Sequence, residues 1–357
     1  MTLSKLRIRD FRCINGVELS AHPDFNLIVG SNAAGKTSLL EAIYYLGRGR
    51  SFRTGTNIEL IRSTADAFTL YAEVAGVKPD DPTQRLGTEV SRGTKLLRMN
   101  GETATSASLI AALPVQAIDP EIHELIQGGP EQRRRFLDWG VFHVEHRYID
   151  TWRIYKTALK QRNAALRSSS SRATINAWDE QLINSAKSLD MYRKSFISEF
   201  KSQLSSILVD MFPFDIKIGY SQGWRDGIDF ATALADSLPR DRILASTQVG
   251  PHRADMQLKI EGRSAKHRLS RGQQKLLGSS LVIAQTHFVA KALDRRIVLL
   301  VDDPAAELDP AHQERLFSML QAVPAQLFVT SLDLAGISAE KPGKTFAIEA
   351  GNLTALV

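Results

Sequence analysis

The sequence contains a single cysteine, Cys13, among its 357 residues. One thiol excludes a disulfide framework within the chain and any zinc site built from cysteines, and it is typical of the reducing cytoplasm. Long apolar runs are also missing, since no window approaches the roughly eighteen uninterrupted apolar residues that a membrane span needs. The first residues, MTLSKLRIRDF, lack the apolar core of a signal peptide. These absences predict a cytoplasmic protein without a membrane-spanning segment.

Neither sign of charge dominates the composition. Lysine and arginine total 45 and aspartate and glutamate total 39, which leaves a net charge of +6. So small an excess permits a nucleic-acid partner but does not require one. The hydrophobic share is 43%, enough for the core of one large domain or of two ordinary ones.

Apolar patterns predict strands near both ends of the chain and helices between them. Short buried strands are expected at 25–30 (FNLIVG) and at 297–301 (IVLLV). Apolar residues at three- and four-residue spacing over 147–167 and 177–211 indicate two helices that form an antiparallel hairpin. The strand pattern is typical of an α/β domain.

The same patterns suggest where the domains divide. Composition changes after residue 113, and the strand pattern returns shortly after residue 250. We therefore expect one α/β domain formed by residues 1–113 and 251–357, with a mostly helical insertion at residues 114–250.

A phosphate-binding loop is the most specific local motif. Residues 30–37 read GSNAAGKT and satisfy the pattern G-x-x-x-x-G-K-[ST]. The loop follows an apolar strand and opens a helix, so its backbone N–H groups can surround a phosphate at the helix N-terminus. Lys36 is expected to reach the β- and γ-phosphates of ATP, and Thr37 to bind Mg²⁺. The expected nucleotide-binding residues here are Gly30, Ser31, Asn32, Ala33, Ala34, Gly35, Lys36, Thr37 and Ser38.

Two carboxylates follow the second apolar strand. The stretch 297–303 reads IVLLVDD, so a buried strand delivers Asp302 and Asp303 at its carboxyl end. That is the usual complement of a phosphate loop in a nucleotide site. We expect Asp302 to bind Mg²⁺ and Asp303 to polarise the attacking water.

A third motif narrows the class of ATPase. Residues 269–275 read LSRGQQK and resemble the signature L-S-G-G-Q of cassette ATPases, with Arg271 in place of the first glycine. Ser270 and Gln273 also fit S-x-x-Q, a helix capping box. The two interpretations are compatible, because a helix start with free N–H groups is what binds a γ-phosphate. The stretch 306–309 (AELD) resembles the short acidic loop of the same ATPases.

The wide gap between the phosphate loop and the signature resembles the ATPase heads of structural-maintenance-of-chromosomes (SMC) proteins, and several strings look like the bacterial RecF family. The resemblance runs from Leu3 to about Phe346 and implies a P-loop ATPase head of the ABC and SMC type. Both chain ends would form the head, and the mostly helical insertion would be a second domain. The strings are LRIRDFR (6–12), GRSFRT (49–54), LPVQ (113–116), GGPEQRRRFLDWG (128–140), VGPHRAD (249–255) and LSRGQQK.

The resemblance implies an activity as well as a fold. Proteins of the RecF family are cytoplasmic DNA-repair ATPases that bind ATP, Mg²⁺ and DNA. The resemblance further implies an ATP-dependent homodimer with weak ATPase activity used as a switch. Its DNA contacts would be made mainly to the phosphate backbone, at single-strand gaps or junctions. The implied partners are RecO and RecR, with which it would bring the recombinase to DNA.

Roles for particular residues also follow from the resemblance. Gln116 resembles the residue that contacts the metal and the attacking water, and Arg12 a residue near the base and phosphates. Asp309 would lie at the dimer interface. The signature residues Ser270, Gly272 and Gln273, with Arg271 in the same segment, would act on the nucleotide of the partner subunit.

The sequence departs from the wider ATPase pattern at two places. Asp303 stands where related transport ATPases have glutamate, and the shorter acid fits slow hydrolysis. Thr330 and Ser331 stand where those proteins have a switch histidine, which leaves the sensor role of that loop open. No role is assigned to His252 in the string VGPHRAD.

Six arginines are candidates for DNA contact. The first group follows the phosphate-loop helix, and its alternative is a solvated loop. The second group could instead pair with Glu131 and Asp138. The two groups are Arg48, Arg50 and Arg53, and Arg133, Arg134 and Arg135.

Other functions fit part of the pattern. The motif order also suits the ATPase subunit of a membrane transporter, although such subunits usually have a shorter insertion. A small-molecule P-loop kinase has no use for LSRGQQK, and an ATPase-fused nuclease carries a further acidic metal domain. A DNA-binding repair ATPase is therefore the preferred hypothesis.

Overall fold

A computed structural model describes residues 1–78, 80–304, 308–333 and 342–356. In these residues it has fifteen β-strands, ten α-helices and three 3₁₀ helices. The strands are β1 (Thr2–Phe11), β2 (Ile14–Ser20), β3 (Phe25–Val29), β4 (Ala67–Ala75), β5 (Gln84–Ser91), β6 (Lys95–Met99), β7 (Glu102–Thr103), β8 (Val115–Ile118), β9 (Ile216–Ser221), β10 (Asp255–Ile260), β11 (Arg263–Ser264), β12 (Ile297–Val301), β13 (Ala325–Ser331), β14 (Gly343–Glu349) and β15 (Asn352–Ala355). The α-helices are α1 (Lys36–Arg48), α2 (Ser106–Ala112), α3 (Glu124–Gln127), α4 (Pro130–Val144), α5 (Tyr148–Arg167), α6 (Arg172–Asn176), α7 (Asp179–Met211), α8 (Phe230–Ile243), α9 (Arg271–Leu293) and α10 (Pro310–Ala322).

The chain divides into two compact units. The first contains Met1–Ile122 and Gly278–Val357, and the second contains His123–Leu277. These limits differ from the boundaries expected after residues 113 and 250. The reason is strand pairing: β8 pairs with β12 of the first unit, and β10 pairs with β9 of the second. Short strands that complete a sheet carry little sequence signal of their own, so their partners decide where the units divide.

One sheet of the first unit positions the predicted motifs. Its strand order is β15-β14-β3-β13-β12-β8, and all neighbours except β14 and β15 are parallel. Every residue of β3 and β12 is buried, as expected for parallel strands covered on both faces. The register pairs Val29 with Ser331 and Val301 with Val329. The phosphate loop, the two aspartates and Thr330 therefore meet at one edge of this sheet.

A second sheet of the first unit is antiparallel, with the order β2-β1-β4-β5-β6-β7. One face of it is apolar, as in β4, where every second residue from Phe68 to Val74 is fully buried. These side chains form one core with the apolar residues of α1. The helix that begins at the phosphate loop is thus packed against a rigid sheet.

The second unit is mostly helical, as expected. It contains α3 to α8 and a three-stranded sheet in the order β11-β10-β9. The predicted hairpin corresponds to α5 and α7, which pack against each other and are joined through the short α6.

Helix α9 runs across the division between the units. Among the described residues it is the one helix long and apolar enough to cross a membrane. Within its most apolar window, 72% of the residues are buried inside the structure. A core helix passes the same test of length and composition, and the burial of α9 is that of a core helix.

Candidate nucleotide-binding site

The phosphate loop has the backbone that its glycines allow. Gly35 has a φ of 113°, a left-handed conformation that favours glycine, and it precedes α1. Gly30 has no room for a side chain, because a Cβ there would lie 2.4 Å from the carbonyl oxygen of Ile348 in β14. The loop therefore packs closely against β14 of the sheet. It leads directly into the first turn of α1, whose N–H groups have no partner within the helix.

The loop borders a cavity of about 280 Å³. The Lys36 ammonium donates to the carbonyl oxygens of Gly30 (2.6 Å) and Ser31 (2.9 Å), so it lies over the loop. Gly30 and Ser31 support the loop without lining the cavity. The lining residues are Cys13, Asn32, Ala33, Ala34, Gly35, Lys36, Thr37, Ser38, Arg53, Pro120, Asp302 and Asp303.

Asp302 is a buried carboxylate held by two hydroxyl groups. Thr37 Oγ1 donates to both of its oxygens, at 2.8 and 3.1 Å, and Thr330 Oγ1 donates to Oδ1 at 2.7 Å. Burial raises the pKa of the Asp302 carboxyl above its ordinary value, and the nearby Asp303 adds to that rise. The two hydroxyl hydrogen bonds and the more distant Arg53 oppose the rise.

Asp303 and Thr330 complete this edge of the site. Asp303 is half-buried and has a φ of 48°, which is uncommon for a residue other than glycine. Its backbone N–H donates to Thr330 Oγ1 at 2.9 Å. Thr330 thus holds both aspartates, Asp302 by its carboxylate and Asp303 by its backbone. This arrangement gives the threonine a positional role where transport ATPases have a histidine.

The residues at this edge fit a metal-bound nucleoside triphosphate. A carboxylate and a threonine hydroxyl in direct contact are the oxygen ligands that P-loop proteins offer to Mg²⁺. The raised pKa of Asp302 fits a carboxylate that a cation would stabilise. Lys36 and the start of α1, which also line the cavity, carry N–H donors of the kind that phosphate oxygens accept.

Three residues at the cavity, Cys13, Arg53 and Pro120, were not predicted as nucleotide contacts. Arg53, expected as a DNA contact, lines the cavity, with its side chain 49% exposed. Cys13 also lines it, and its sulfur lies 3.6 Å from the Ser38 hydroxyl. Cys13 follows β1 and Arg53 follows α1, so no local motif shows that they meet.

Arg12 does not line the cavity. Its Nε and Nη2 donate to the carboxylate of Glu41, at 3.0 and 2.9 Å, and its Nη1 donates to the carbonyl oxygen of Glu59. Arg12 therefore forms an ion pair with Glu41, a buried residue of α1 that sequence reasoning missed, and its expected contact to base and phosphates stays a prediction.

Gln116 is not at the metal edge either. Register places it opposite Leu299, three residues before Asp302, and its side chain is buried. Its amide donates to Gln285 Oε1 of α9 at 2.5 Å. A strand residue three places from the edge lies about 10 Å from it, so Gln116 is away from the metal edge in this structure. Its expected contact with the metal and the attacking water stays a prediction. Pro120, just beyond β8, lines the cavity instead.

The signature segment forms a capping box. The Ser270 N–H donates to Gln273 Oε1 (3.0 Å), and the Gln273 N–H donates to Ser270 Oγ (3.3 Å), at the start of α9. Ser270 and Arg271 are exposed, and Gly272 is half-buried. Ser270 through Gln273 belong to the second unit.

The acidic loop is described only in part. Ala306 and Glu307 lie outside the described residues. Asp309 caps α10, where its carboxylate accepts the N–H of His312 at 3.0 Å and also contacts the His312 ring.

Comparison with known proteins decides the family. A sequence model described as RecF/RecN/SMC N terminal domain matches residues 2–348. The DNA replication and repair protein RecF of Salmonella arizonae is 38% identical to this chain, over 99% of this chain and 100% of that protein. The chain belongs to the RecF family. A RecF protein of Salmonella typhi has the same identity and coverage.

Solved structures of RecF have the same fold. A structure of the recombination mediator protein RecF with ATP, in the RecFOR pathway, matches with a TM-score of 0.89 and 25% identity, covering 100% of this chain and 98% of that one. An Smc head bound to the C-winged helix domain of ScpA matches with a TM-score of 0.60 at 15% identity, covering 100% of this chain and 97% of that one, and that likeness concerns the fold alone. The expected P-loop ATPase head of the SMC type is confirmed.

The arginines at 133–135, in a string that resembles RecF proteins, mostly bind acceptors within the protein. Arg133 donates twice to the Asp255 carboxylate (2.8 and 3.2 Å) and once to the Gly128 carbonyl. Arg134 donates to the carbonyl oxygen of Ala254 at 2.8 Å. Arg135 forms an exposed pair with Glu131 on the same helix. Asp138, also expected as a possible partner, is bound by Arg193 instead.

The three predicted arginines at and after the end of α1 have different surroundings. Arg48 lies over the Tyr44 ring, with its guanidinium carbon 5.4 Å from the ring centroid. Arg50 is exposed. Of the three, only Arg53 lines the phosphate-loop cavity.

His252, in the RecF-family string VGPHRAD, has a structural environment. One ring nitrogen contacts the Tyr155 hydroxyl (2.6 Å) and the other contacts the Thr247 carbonyl oxygen (3.0 Å). The carbonyl can only accept, so Nε2 carries the hydrogen and Nδ1 accepts from the tyrosine. Burial lowers the pKa of His252 to about 4. The ring is therefore neutral at physiological pH and links α5 to the loop before β10.

Proposed function

We propose that this RecF-family chain is an ATP-dependent DNA-binding repair protein of the cytoplasm. It dimerises on ATP, binds DNA at single-strand gaps or junctions, and helps to load the recombinase together with RecO and RecR. The observation that carries the proposal is the cavity at which Lys36, Thr37, Asp302 and Asp303 converge, in a chain that aligns with RecF proteins over their full length.

The nucleotide half of the proposal rests on the cavity residues. Lys36 and the N–H groups at the start of α1 would bind the phosphates, and Arg53 adds a second cation at the rim. Thr37 and Asp302 would hold Mg²⁺, which neutralises phosphate charge when bound. The half-buried Asp303 would orient the attacking water. Its short side chain supports weak hydrolysis, used as a switch.

The dimer half of the proposal rests on the signature. Ser270 and the first turn of α9 are accessible at the surface, and a helix start is a suitable donor to an anion. In an isologous dimer each subunit would offer this segment to the nucleotide held by the other. ATP would then join the two subunits, and its hydrolysis would release them. Asp309 would lie near the same interface.

The DNA contacts are proposed to be electrostatic. Contacts to phosphates give binding that weakens steeply with salt and depends little on sequence. Among the predicted arginines, Arg50, Arg53 and Arg135 are the stronger candidates because their side chains are exposed. Arg133 and Arg134 are weaker candidates, because their guanidinium groups bind protein acceptors.

The test measures DNA affinity and molecular mass together. At fixed salt, with no nucleotide, ADP, ATP or a non-hydrolysable ATP analogue, we expect only the two ATP states to give a dimer and tighter DNA binding. Lys36→Ala should weaken nucleotide binding by 100-fold or more, on the order of 3 kcal/mol, and abolish both effects.

Lys291→Ala is the matched control, because Lys291 is an exposed lysine of the same unit that does not line the phosphate-loop cavity. A protein that stays monomeric with ATP and binds DNA equally in all four conditions contradicts the proposal.

A further inference from the structure

Glu41 is a buried carboxylate one helical turn after Thr37. Its side chain is 0% exposed, and its oxygens accept two hydrogen bonds from Arg12 and one from the Ser51 hydroxyl. A buried carboxylate needs such donors, because an unpaired one would be strongly destabilising. Since α1 begins at the phosphate loop, the position of Glu41 is fixed together with that loop.

Ser51 connects this carboxylate to the segment that follows α1. While its hydroxyl donates to Glu41, its oxygen accepts the backbone N–H groups of Arg53 (2.8 Å) and Thr54 (3.0 Å). One side chain therefore attaches a turn of backbone to the helix. The turn is held at its other end by Glu59, which accepts from the hydroxyls of Thr54 and Thr56.

Arg53 is the residue that this turn presents to the cavity. Its backbone is held by Ser51, and its Nη1 lies 3.8 Å from Glu41 Oε2. The same side chain lines the cavity with Lys36 and Asp302. The guanidinium is thus restrained between a buried carboxylate on one side and the phosphate-binding space on the other.

We propose that Ser51 and Glu41 are positioning residues that hold Arg53 at the nucleotide cavity. The inference rests on the proposed binding of ATP in that cavity. An arginine in a loop loses rotamer freedom when it binds a phosphate, and a loop that is already fixed reduces that cost. Ser51 and Glu41 touch no ligand themselves; they act through Arg53.

The test is a double-mutant cycle on nucleotide affinity. Ser51→Ala, Arg53→Ala and the double variant are compared with the unmodified chain, with a non-hydrolysable ATP analogue and Mg²⁺ at fixed salt. We expect each single change to weaken binding about tenfold, and the double variant to bind no more weakly than Arg53→Ala alone. Ser51→Thr, which keeps the hydroxyl, should restore most of the affinity.

Ser108→Ala is the matched control. Ser108 forms the capping box of α2 in the same unit and does not line the cavity, so its removal should leave nucleotide affinity unchanged. Thermal unfolding of each variant separates lost positioning from lost folding. If Ser51→Ala does not fold, Ser51→Cys gives the same comparison, because a thiol keeps the volume but accepts hydrogen bonds weakly.

The outcomes separate this inference from the proposed function. Independent, multiplying losses for Ser51→Ala and Arg53→Ala would overturn it while ATP binding by the unmodified chain stands. So would a folded Ser51→Ala variant with unchanged affinity. If the unmodified chain binds no nucleotide analogue, the proposed function fails first and the inference with it.

Discussion

Buried charge is handled differently at the nucleotide cavity of the first unit and in the core of the second unit. In the first, Asp302 is 7% exposed and is held by the hydroxyls of Thr37 and Thr330 beside an open cavity. In the second, Arg193 is 2% exposed and makes three hydrogen bonds, two to the Asp138 carboxylate and one to the Pro251 carbonyl oxygen. The hydrogen-bond partners of Asp302 are neutral donors, whereas Arg193 binds a carboxylate of opposite charge.

The two arrangements suit different purposes. A buried carboxylate with neutral partners has a raised pKa and gains from a cation, which is the property of a metal ligand. A buried ion pair with complete hydrogen bonding is already satisfied and specifies one packing of the chain. Arg162 repeats the second pattern, since it binds both Asp179 and Asp241. The presence of a charged residue in a motif is therefore a weaker sign of function than the kind of partner that its side chain has in the fold.

Buried pairing also accounts for the two strings of the second unit that resemble RecF proteins. Arg133 binds Asp255, Arg134 binds the Ala254 carbonyl, and Arg193 connects Asp138 to the Pro251 carbonyl. Each of these contacts joins 128–140 to 249–255 or to their common neighbour α7. The strings form one polar network inside the unit, so their residues are explained by the fold.

The largest expected effect comes from breaking the buried pair of the second unit. Arg193→Met leaves the Asp138 carboxylate without its counter-charge, so we expect the free energy of unfolding to fall by about 3–5 kcal/mol in chemical denaturation. Arg153→Met is the control, because Arg153 forms an exposed pair with Asp150 and should cost under about 1 kcal/mol. Equal losses from both variants would mean that burial of the pair is not what matters.

An acid-dependent loss of stability is expected from His252. Its folded-state pKa of about 4 lies below the ordinary value of 6.5, so the unfolded chain binds the proton first as pH falls. The stability that His252 contributes is complete above pH 6.5 and is lost as pH falls from 6.5 to about 4. At about 1.4 kcal/mol per pKa unit the loss approaches roughly 3 kcal/mol.

The measurement for His252 is unfolding free energy against pH. His252→Gln removes the titration and should flatten the slope in this window, whereas His146→Gln, a change at an exposed histidine, should not. An unchanged slope in His252→Gln would assign the acid sensitivity to other groups.

The smallest change in stability is expected at Asp302, and its dependence on pH is opposite in sign to that of His252. Its raised pKa means that ionisation of the carboxyl group opposes folding at neutral pH. The stability that the protonated carboxyl group contributes is complete at low pH and is lost as pH rises through the folded-state pKa. Asp302→Asn should therefore raise the thermal midpoint without Mg²⁺ by about 2 °C. It should also abolish the extra midpoint rise that Mg²⁺ and nucleotide give the unmodified chain.

Asp66→Asn is the control for Asp302, because Asp66 is exposed in the same unit and should change neither value. A lower midpoint for Asp302→Asn in the absence of Mg²⁺ would show that the carboxylate is structural, like the pair of Arg193 and Asp138.

Much of the site was predictable because its signals are local. The loop at 30–37 needs glycine at Gly30 for steric reasons and at Gly35 for its backbone conformation, so the motif is readable from the local sequence. The strands at 25–29 and 297–301 are continuous apolar runs because both faces are covered. Parallel pairing then brings the loop and the aspartates to one edge.

Other contacts could not be predicted, because the sequence shows the residue type but not the partner. Gln116 was expected to contact the metal, and in this structure its amide binds Gln285. Arg53 was expected to contact DNA, and the turn held by Ser51 also places it at the cavity. Both expected roles stay predictions. Arginines bind whichever acceptor the fold brings near, and sequence spacing does not name that acceptor.

The sequence by itself determined the class of the protein: the phosphate loop, the paired aspartates, the signature and their order, each set by short-range backbone geometry. Only the tertiary structure decided which charges meet. Thr330 reaches Asp302 from 28 residues away and Arg193 reaches Asp138 from 55 residues away. Such contacts depend on the packing of whole strands and helices, and the free energy of a buried charge depends on what that packing places beside it.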